Sequence, residues 1–446
     1  MRDSRLRRAR GRVAAALGAA ALLGVAGAAT GPAQAVPRPE RGHQAAAPGA
    51  AGPDCGSRYR IEQKLDGGTV WRMCWAYDGT AGLVLGDVSY QPKGERAPIK
   101  VLTSAKLAQI HVPYDDGNAE FDDLTGAGFA QGVQQLDPAE CPGGTIKTVH
   151  VPNAEDARHS NVKGLCATTR ARGHAYRMAN ERHPGKPYQA QGRDLLLYTV
   201  NKVGWYEYIT EWRFSGDGTI AAQAGATGAL SPYDYDAGDG RGWPIGKGAK
   251  DYATSHYHNI FWRLDFGLDG SSHGTVEQYD SATTPRAGRT ATTRTVRTRV
   301  GRELAGDATE RRWWRVVSEK GKNKDGHPRS YEIVPGHTSR YTGRSYTRHD
   351  LYVTEYRPCE QFASENPGDC GRHAPRSVDK WVNGQVLKHP VVWVNIGFHH
   401  IARDEDQEPM PVHWQGFQLS PRDVTAMNPL TPRELSGHNG HREGDG

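Results

Sequence analysis

The chain has 446 residues, a formal net charge of +6 and 24% charged residues, and this length can bury one large core or two of ordinary size. Its first 12 positions hold six arginines and one aspartate, so removal of that segment would lower the net charge to about +1. A balanced surface of this kind excludes the basic face that nucleic-acid recognition needs.

The first 35 residues have the pattern of a signal peptide. A basic stretch ending at Arg12 precedes an apolar run from Val13 to Ala29, and a small-residue cleavage site ends at Ala35. The run is short and alanine-rich, and no later stretch reaches the roughly 20 apolar residues that a membrane span needs. We therefore expect a secreted protein without a membrane partner, and the Arg7-Arg8 pair leaves both the twin-arginine and the general secretory routes open.

Residues 36–54 are rich in Pro, Ala and Gly and are expected to form a disordered leader. Beyond them, short alternating runs cut by Asp-Gly turns predict an antiparallel β protein. Only 154–180 suggests a helix, and the basic stretch 286–302 is expected to be a solvated strand or hairpin rather than a binding arm. The predicted strands are Gly82 to Tyr90, Leu195 to Val203, Tyr206 to Phe214, Thr219 to Ala224, Asn259 to Phe266, Leu351 to Tyr356 and Val391 to Phe398.

The chain contains six cysteines, and an even number in an exported protein indicates disulfides. No CxxC motif or Cys/His cluster suggests a zinc site instead. Because each would close a short loop, we favour the sequence-local pairs Cys55 with Cys74, Cys141 with Cys166, and Cys359 with Cys370.

The segment His256-Tyr257-His258 precedes an apolar run that is typical of a strand. Strand side chains alternate between faces, so two histidines at i and i+2 point the same way and can bind one metal ion. Copper(II) favours such nitrogen ligands, whereas an ordinary pair of surface histidines is the simpler interpretation. A third ligand could come from His399 or His400, at the end of the strand predicted over Val391 to Phe398.

The surroundings of these histidines resemble the copper- and topaquinone-containing amine oxidases. In that family the HxH pair runs into F-x-x-R-L-D-x-x-x-D-G, which residues 261–270 match. The family's third copper ligand lies in G-[FL]-T-H-x-P-R-x-E-D followed by M-P, which resembles residues 397–406 followed by 410–411. The resemblance implies a copper(II) site made by His256, His258 and His400, with His399 in the place of the threonine.

The same family makes its topaquinone from a tyrosine in V-G-N-Y-[DE]-Y, and residues 203–208 match this signature. Tyr206 is therefore the implied quinone precursor, although Trp205 replaces the asparagine. Tyr114 occupies the place of the tyrosine that hydrogen-bonds the quinone. The family's catalytic aspartate lies in F-D-x-G-E, which 121–126 match loosely, and the spacing to the cysteine at 141 favours Asp122 over Asp123 as the base.

The likeness covers about residues 71–430 and implies a large antiparallel β-sandwich, a catalytic domain over 55–432 followed by a flexible tail over 433–446. It also implies a homodimer that oxidises primary amines with O2, releasing aldehyde, ammonia and hydrogen peroxide. The exchange at Trp205 leaves open a copper-binding β-sandwich without catalysis, and a zinc-dependent exported hydrolase is a further alternative. The family's peripheral cation site uses acidic residues on the strand after the HxH pair, and here Gly267 stands two residues after Asp265 in place of the second one. We therefore expect that site to be absent or weak. Residues 404–406 are expected to be an exposed acidic turn.

Overall fold

The computed structural model describes residues 55–435, apart from short gaps at 116, 118–119, 153, 155–159, 233–239, 287–288, 309–310 and 367–375. The predicted signal peptide, the predicted leader and residues 436–446 of the predicted tail lie outside the described residues. The predicted division of the chain into these segments and one domain therefore stays a prediction.

Strands dominate the described residues, and the helices among them are short. The two α-helices are α1 (Gly56–Tyr59) and α2 (Val378–Trp381). The strands are β1 (Arg60–Lys64), β2 (Val70–Asp78), β3 (Gly82–Gln91), β4 (Ile99–Pro113), β5 (Glu120–Asp122), β6 (Thr145–His150), β7 (Asn161–Met178), β8 (Tyr188–Val203), β9 (Tyr206–Ser215), β10 (Ile220–Gly228), β11 (Trp243–Ile245), β12 (Asp251–Ala253), β13 (His256–Phe266), β14 (Gly274–Arg286), β15 (Arg289–Val300), β16 (Leu304–Gly306), β17 (Arg312–Lys322), β18 (Pro328–Pro335), β19 (Leu351–Glu355), β20 (Pro390–His400) and β21 (Met410–Arg422). Short 3-10 helices lie at Phe129–Gly132, Pro138–Glu140, Leu268–Gly270, Ser345–Thr347, Asp404–Asp406 and Arg433–Leu435.

These strands form two large antiparallel sheets and one small one. The first sheet runs β1-β2-β3-β4-β13-β20-β19-β16, with β5 paired to β4. The second runs β15-β14-β17-β18-β21-β10-β9-β8-β7-β6, and β11 pairs with β12 alone. This architecture confirms the predicted mostly-β fold.

The two large sheets pack face to face through aromatic side chains. Along β2 the buried positions alternate, as expected for a strand with one face on the core. Trp71 of β2 meets Phe214 of β9 at 5.1 Å between ring centroids, and Trp212 of β9 meets Trp262 of β13 edge-on at 5.2 Å. A core of this kind fixes the faces of β9 and β13 against each other, and these two strands carry the candidate site.

Each of the seven predicted strands overlaps an observed strand, namely β3, β8, β9, β10, β13, β19 and β20, with Thr219 and Tyr356 one residue outside. The basic stretch is also confirmed as a strand of a hairpin, since β15 pairs with β14 and residues 291–299 are exposed.

The suggested helix over 154–180 is wrong where the structure describes it, because β7 occupies Asn161–Met178. Its first half alternates buried and exposed positions, and β8 pairs along it, so tertiary pairing overrides a weak helical preference.

Two of the favoured disulfides are confirmed, Cys55 with Cys74 and Cys141 with Cys166. Cys359 is also disulfide-bonded, but Cys370 lies outside the described residues. The Cys141–Cys166 bridge ties the loop before β6 to β7. Among the described residues, no helix combines the length and the apolar character needed to cross a bilayer.

Candidate active site

Strand register brings the three predicted histidines together. β13 and β20 pair antiparallel with His256 opposite His400, so His258 lies on the same face two residues along β13. His399 points to the other face, where its ring stacks on Tyr257 at 4.1 Å. The register therefore selects His400, rather than His399, as the partner of the HxH pair.

The ring nitrogens of these histidines converge on one point. His256 Nε2 lies 2.9 Å from His258 Nε2 and 3.3 Å from His400 Nδ1. Within the described part of the chain, this is the one group of three His, Cys, Asp or Glu side chains whose ligand atoms all lie within 4.8 Å of one another. Such separations suit ligands that each lie about 2 Å from a common ion.

Burial keeps the two imidazoles of β13 neutral. His256 and His258 are 1% and 0% exposed, and desolvation, helped by the neighbouring histidines, lowers the pKa of both well below the usual value. A neutral imidazole has a free lone pair on one nitrogen. The pocket therefore presents metal-binding nitrogens at neutral pH without first having to lose protons.

The phenol of Tyr206 lies against the same nitrogens. Its Oη is 2.8 Å from His256 Nε2 and 2.8 Å from His400 Nδ1. The side chain is 3% exposed, and burial, with nearby charges adding to it, raises the pKa of Tyr206 well above its usual value. Strand β9 begins at this residue, directly after the turn that leaves β8. The phenol of the predicted precursor is thus the group in contact with the histidine cluster.

A buried carboxylate orients His400. His400 Nε2 donates to Asp406 Oδ2 at 2.9 Å, and the backbone N–H and Nε of Arg403 also donate to this carboxylate. A proton held on Nε2 leaves the Nδ1 lone pair directed at the cluster, as in carboxylate–histidine–metal sites. Asp406 is 1% exposed, so the expectation of a wholly exposed acidic turn is wrong for this residue.

The comparisons with known proteins agree with this geometry. The family model for the copper amine oxidase enzyme domain matches residues 69–435, which is most of the chain. The protein belongs to the copper amine oxidase family.

Individual relatives lie at moderate identity. Histamine oxidase from Arthrobacter globiformis is 27% identical over 412 residues, covering 83% of this chain and 57% of the relative. The peroxisomal copper-containing amine oxidase alpha 2 of Arabidopsis thaliana is 26% identical, with 82% and 60% covered. This copper amine oxidase family member therefore spans somewhat more than half the length of these curated relatives.

Among solved structures, the copper-containing benzylamine oxidase from Hansenula polymorpha superposes with a TM-score of 0.68 at 22% identity. The match covers 83% of this chain and 62% of that one. At this identity the likeness establishes the fold, a large antiparallel β assembly.

The donor set fits the copper that the family implies. Three imidazole ligands leave further coordination positions for water or dioxygen, which is the arrangement expected for a reactive copper(II) centre. His256, His258 and His400 are the residues that would hold the ion, and Asp406 would orient one of them.

Tyr114 closes one side of the cluster. Its ring lies 4.7 Å from that of His256, and its Oη accepts a hydrogen bond from Trp205 Nε1 at 3.1 Å. The predicted neighbour of the quinone is therefore beside the site. The tryptophan that replaces the family's asparagine contacts it directly.

Of the two adjacent aspartates, Asp123 rather than Asp122 contacts Tyr208, which stacks on Tyr206. The Asp122 carboxylate accepts from Ser364 Oγ at 3.0 Å and from Tyr346 Oη at 3.4 Å. The Asp123 carboxyl is hydrogen-bonded to Tyr208, and burial raises its pKa to about 7. Asp122 is the last residue of β5 and Asp123 lies in the turn that follows, and of the two only Asp123 is bonded to Tyr208.

Tyr208 joins Asp123 to the histidines. Its ring stacks on Tyr206 at 5.8 Å, and its Oη lies 3.2 Å from His258 Nδ1. Sequence reasoning missed this residue and Asp406, although both lie within the quoted motifs. A signal was available for each: Tyr208 follows Tyr206 by two and so shares its face, and the Glu405-Asp406 pair closes the third-ligand segment.

At the place expected for a weak peripheral cation site, the Asp265 carboxylate contacts the His389 side chain. His389 Nε2 lies 2.7 Å from Asp265 Oδ1. A Cβ at Gly267 would meet Thr103 Oγ1 at 2.3 Å, so the local packing leaves no room there for a longer acidic side chain unless the neighbours move.

Proposed function

We propose that this chain is a secreted copper- and topaquinone-dependent oxidase that converts primary amines and O2 into aldehydes, ammonia and hydrogen peroxide. The observation that carries the proposal is the phenol of Tyr206, held 2.8 Å from two of three convergent imidazole nitrogens. Copper(II) bound by these histidines, and the quinone made from Tyr206, would supply the redox chemistry that oxidises the amine and reduces O2.

The base in this proposal is Asp123. The reaction requires removal of a proton from the carbon next to the amine nitrogen, and a positioned carboxylate contributes about 10² to 10⁴-fold to such a step. A pKa of about 7, raised by burial, gives Asp123 the basicity that this task needs near neutral pH. Asp122 stays the alternative to be tested, because the sequence spacing favours it.

The surrounding side chains hold the reacting groups and exclude water. Asp406 fixes the tautomer of His400, and Tyr208 connects Asp123 to His258. Tyr114 lies where it can confine the ring formed from Tyr206. Because Tyr206 and the two histidines of β13 are almost fully buried, the electrostatic interactions in the pocket are stronger than they would be in water.

The test of the proposal is the mass of the peptide that contains Tyr206. Copper-free protein is loaded with copper(II) in air, digested and analysed by mass spectrometry, with Tyr206→Phe as the matched control. Quinone formation increases the mass of the wild-type peptide alone, and a panel of primary amines should then give hydrogen peroxide. Copper-bound protein with an unmodified peptide would establish instead the alternative of a copper-binding protein without catalysis.

Secretion and dimerisation belong to the same proposal. The N-terminal pattern and the two described disulfides support export, because disulfides persist in oxidising compartments. A homodimer is supported by the family resemblance. Culture-supernatant fractionation tests the first, and light scattering of the purified protein tests the second.

A further inference from the structure

Trp205 forms an aromatic wall with two neighbours beside the candidate site. Its ring meets Tyr114 at 6.1 Å and Phe121 at 6.5 Å, and Tyr114 meets Phe121 at 6.0 Å. The interplanar angles are 69°, 89° and 89°, so all three contacts are edge-to-face. Contacts of this geometry are favourable and restrict ring rotation.

The backbone of Trp205 is fixed independently of its side chain. It lies in the tight turn between β8 and β9, where Val203 pairs with Tyr206 and Gly204 has φ of 58°. Its carbonyl accepts a hydrogen bond from Ala229 at 3.0 Å. A Cβ at Gly228 would lie 2.4 Å from that carbonyl oxygen, so this approach requires glycine. The indole therefore starts from a well-defined point next to Tyr206.

Trp205 also lines a surface depression. This depression of about 390 Å³ is lined also by Lys202, Glu207, Gly228 and Glu408, among others. The indole meets the Tyr114 ring, which lies 4.7 Å from His256. Side-chain changes at Trp205 would therefore alter both the lining of the depression and the packing against Tyr114.

The polar contact of the indole also sets the direction of the Tyr114 hydroxyl. The indole N–H can only donate, whereas a phenol hydroxyl both accepts and donates one hydrogen bond. Since Trp205 Nε1 donates to Tyr114 Oη at 3.1 Å, the Tyr114 proton is directed away from Trp205. An asparagine at 205 would be smaller and would offer a different donor geometry.

We propose that Trp205 is a positioning residue that anchors the Tyr114 hydroxyl beside Tyr206 through the indole N–H. The inference rests on the proposed function for its catalytic consequence, since an anchored Tyr114 would confine the ring derived from Tyr206. The contact itself is a property of the copper-free protein. The two parts can therefore be tested separately.

The first test measures the contact directly. In copper-free protein labelled with ¹⁵N-tryptophan, Trp205→Phe removes one indole N–H resonance and so identifies it. Tyr114→Phe should shift that resonance to lower ¹H frequency, as expected when an indole N–H loses its acceptor. Trp414→Phe, the same change at another partly exposed tryptophan, removes a different resonance and leaves the Trp205 signal in place. A Trp205 resonance that does not move in Tyr114→Phe would overturn the proposal.

The second test uses copper-loaded protein. Loss of one neutral hydrogen bond in the transition state corresponds to about a five-fold change in rate constant. Trp205→Phe and Tyr114→Phe should therefore each lower kcat by about five-fold, with KM little changed. Because both changes break the same contact, the double variant should be no slower than the slower single variant. Both single variants should also displace the visible absorption band of the quinone in the same direction. A double variant with multiplied losses would overturn the positioning role.

The outcomes separate the inference from the proposed function. If copper-loaded wild type forms no quinone, the proposed function fails, while the indole shift in copper-free protein still decides whether Trp205 anchors Tyr114. If quinone forms and the indole shift is absent, the proposed function stands and the role of Trp205 is refuted.

Discussion

Replacement of Asp123 by asparagine should stabilise the copper-free protein, and should do so increasingly as the pH rises. Asp123 is 4% exposed, and burial raises its pKa from 3.8 to about 7. A carboxyl group with a raised folded-state pKa binds its proton more tightly in the folded protein than in the unfolded chain. This tighter proton binding adds its full amount to the free energy of unfolding below about pH 4, and the added stability is lost as the pH rises to about 7.

The magnitude follows from that difference in pKa. About three pH units at 1.36 kcal/mol each give roughly 4 kcal/mol over the whole window. The interval from pH 5 to pH 8 contains about two of these units. The difference in unfolding free energy between Asp123→Asn and wild type should therefore grow by roughly 3 kcal/mol between pH 5 and pH 8, in favour of the variant.

Urea unfolding followed by tryptophan fluorescence measures this difference, since several of the tryptophans are fully buried. Because the two proteins share all other titratable groups, the contributions of those groups cancel in the difference between the two unfolding free energies at each pH. The exposed Asp66, whose side chain is 82% accessible, provides Asp66→Asn as a control for the chemical change alone. A difference between Asp123→Asn and wild type that is equal at pH 5 and pH 8 would refute the view that burial holds this carboxyl neutral.

The other predictions concern the loaded enzyme. Tyr206→Phe should keep bound copper and release no hydrogen peroxide with any amine, and turnover by this variant would reject the quinone assignment. His258→Ala should lose both copper, measured by metal analysis, and quinone, measured by absorbance, because one ligand set serves both; quinone formation without this ligand would contradict the site. Asp406→Asn should weaken copper binding by about 10- to 100-fold in a chelator competition, whereas unchanged affinity would show that the carboxylate does not tune His400. Asp123→Asn should give a coloured protein with kcat lowered about 10² to 10⁴-fold, and if Asp122→Asn does so instead, the base is Asp122.

The fold was largely predictable because the strands carry period-two patterns. In β10 the apolar residues Ile220, Ala222 and Ala224 are buried and the residues between them are less so, and such alternation identifies a strand without knowledge of its partners. The long strand β7 was not predictable in this way. Its distal half is exposed and is paired along β8, so the evidence for it lies in a pairing rather than in its own sequence.

The cluster of three histidines was predictable from the sequence, but the side chains around it were not. The HxH pair and His400 are fixed by strand alternation and by motif. The choice between Asp122 and Asp123 depended on where β5 ends, and element ends are set by hydrogen bonds that spacing does not reveal. In the structure β5 pairs Asp122 with His111, and the backbone N–H of Asp123 then bonds Ile110, which directs the Asp123 side chain inward.

Pairing register is the physical property on which the site depends. A slip of one residue between β13 and β20 would place His399 opposite His256 and turn His400 to the other face, because side-chain direction in a strand reverses at each step. Such a slip is opposed by the cores on both faces. β13 is buried at nearly every position, with Trp262 packed on the second large sheet and Phe261 on a separate cluster beside Trp393. A shifted strand would exchange these two faces along its whole length, so the core that stabilises the sheet also fixes the three imidazoles against Tyr206.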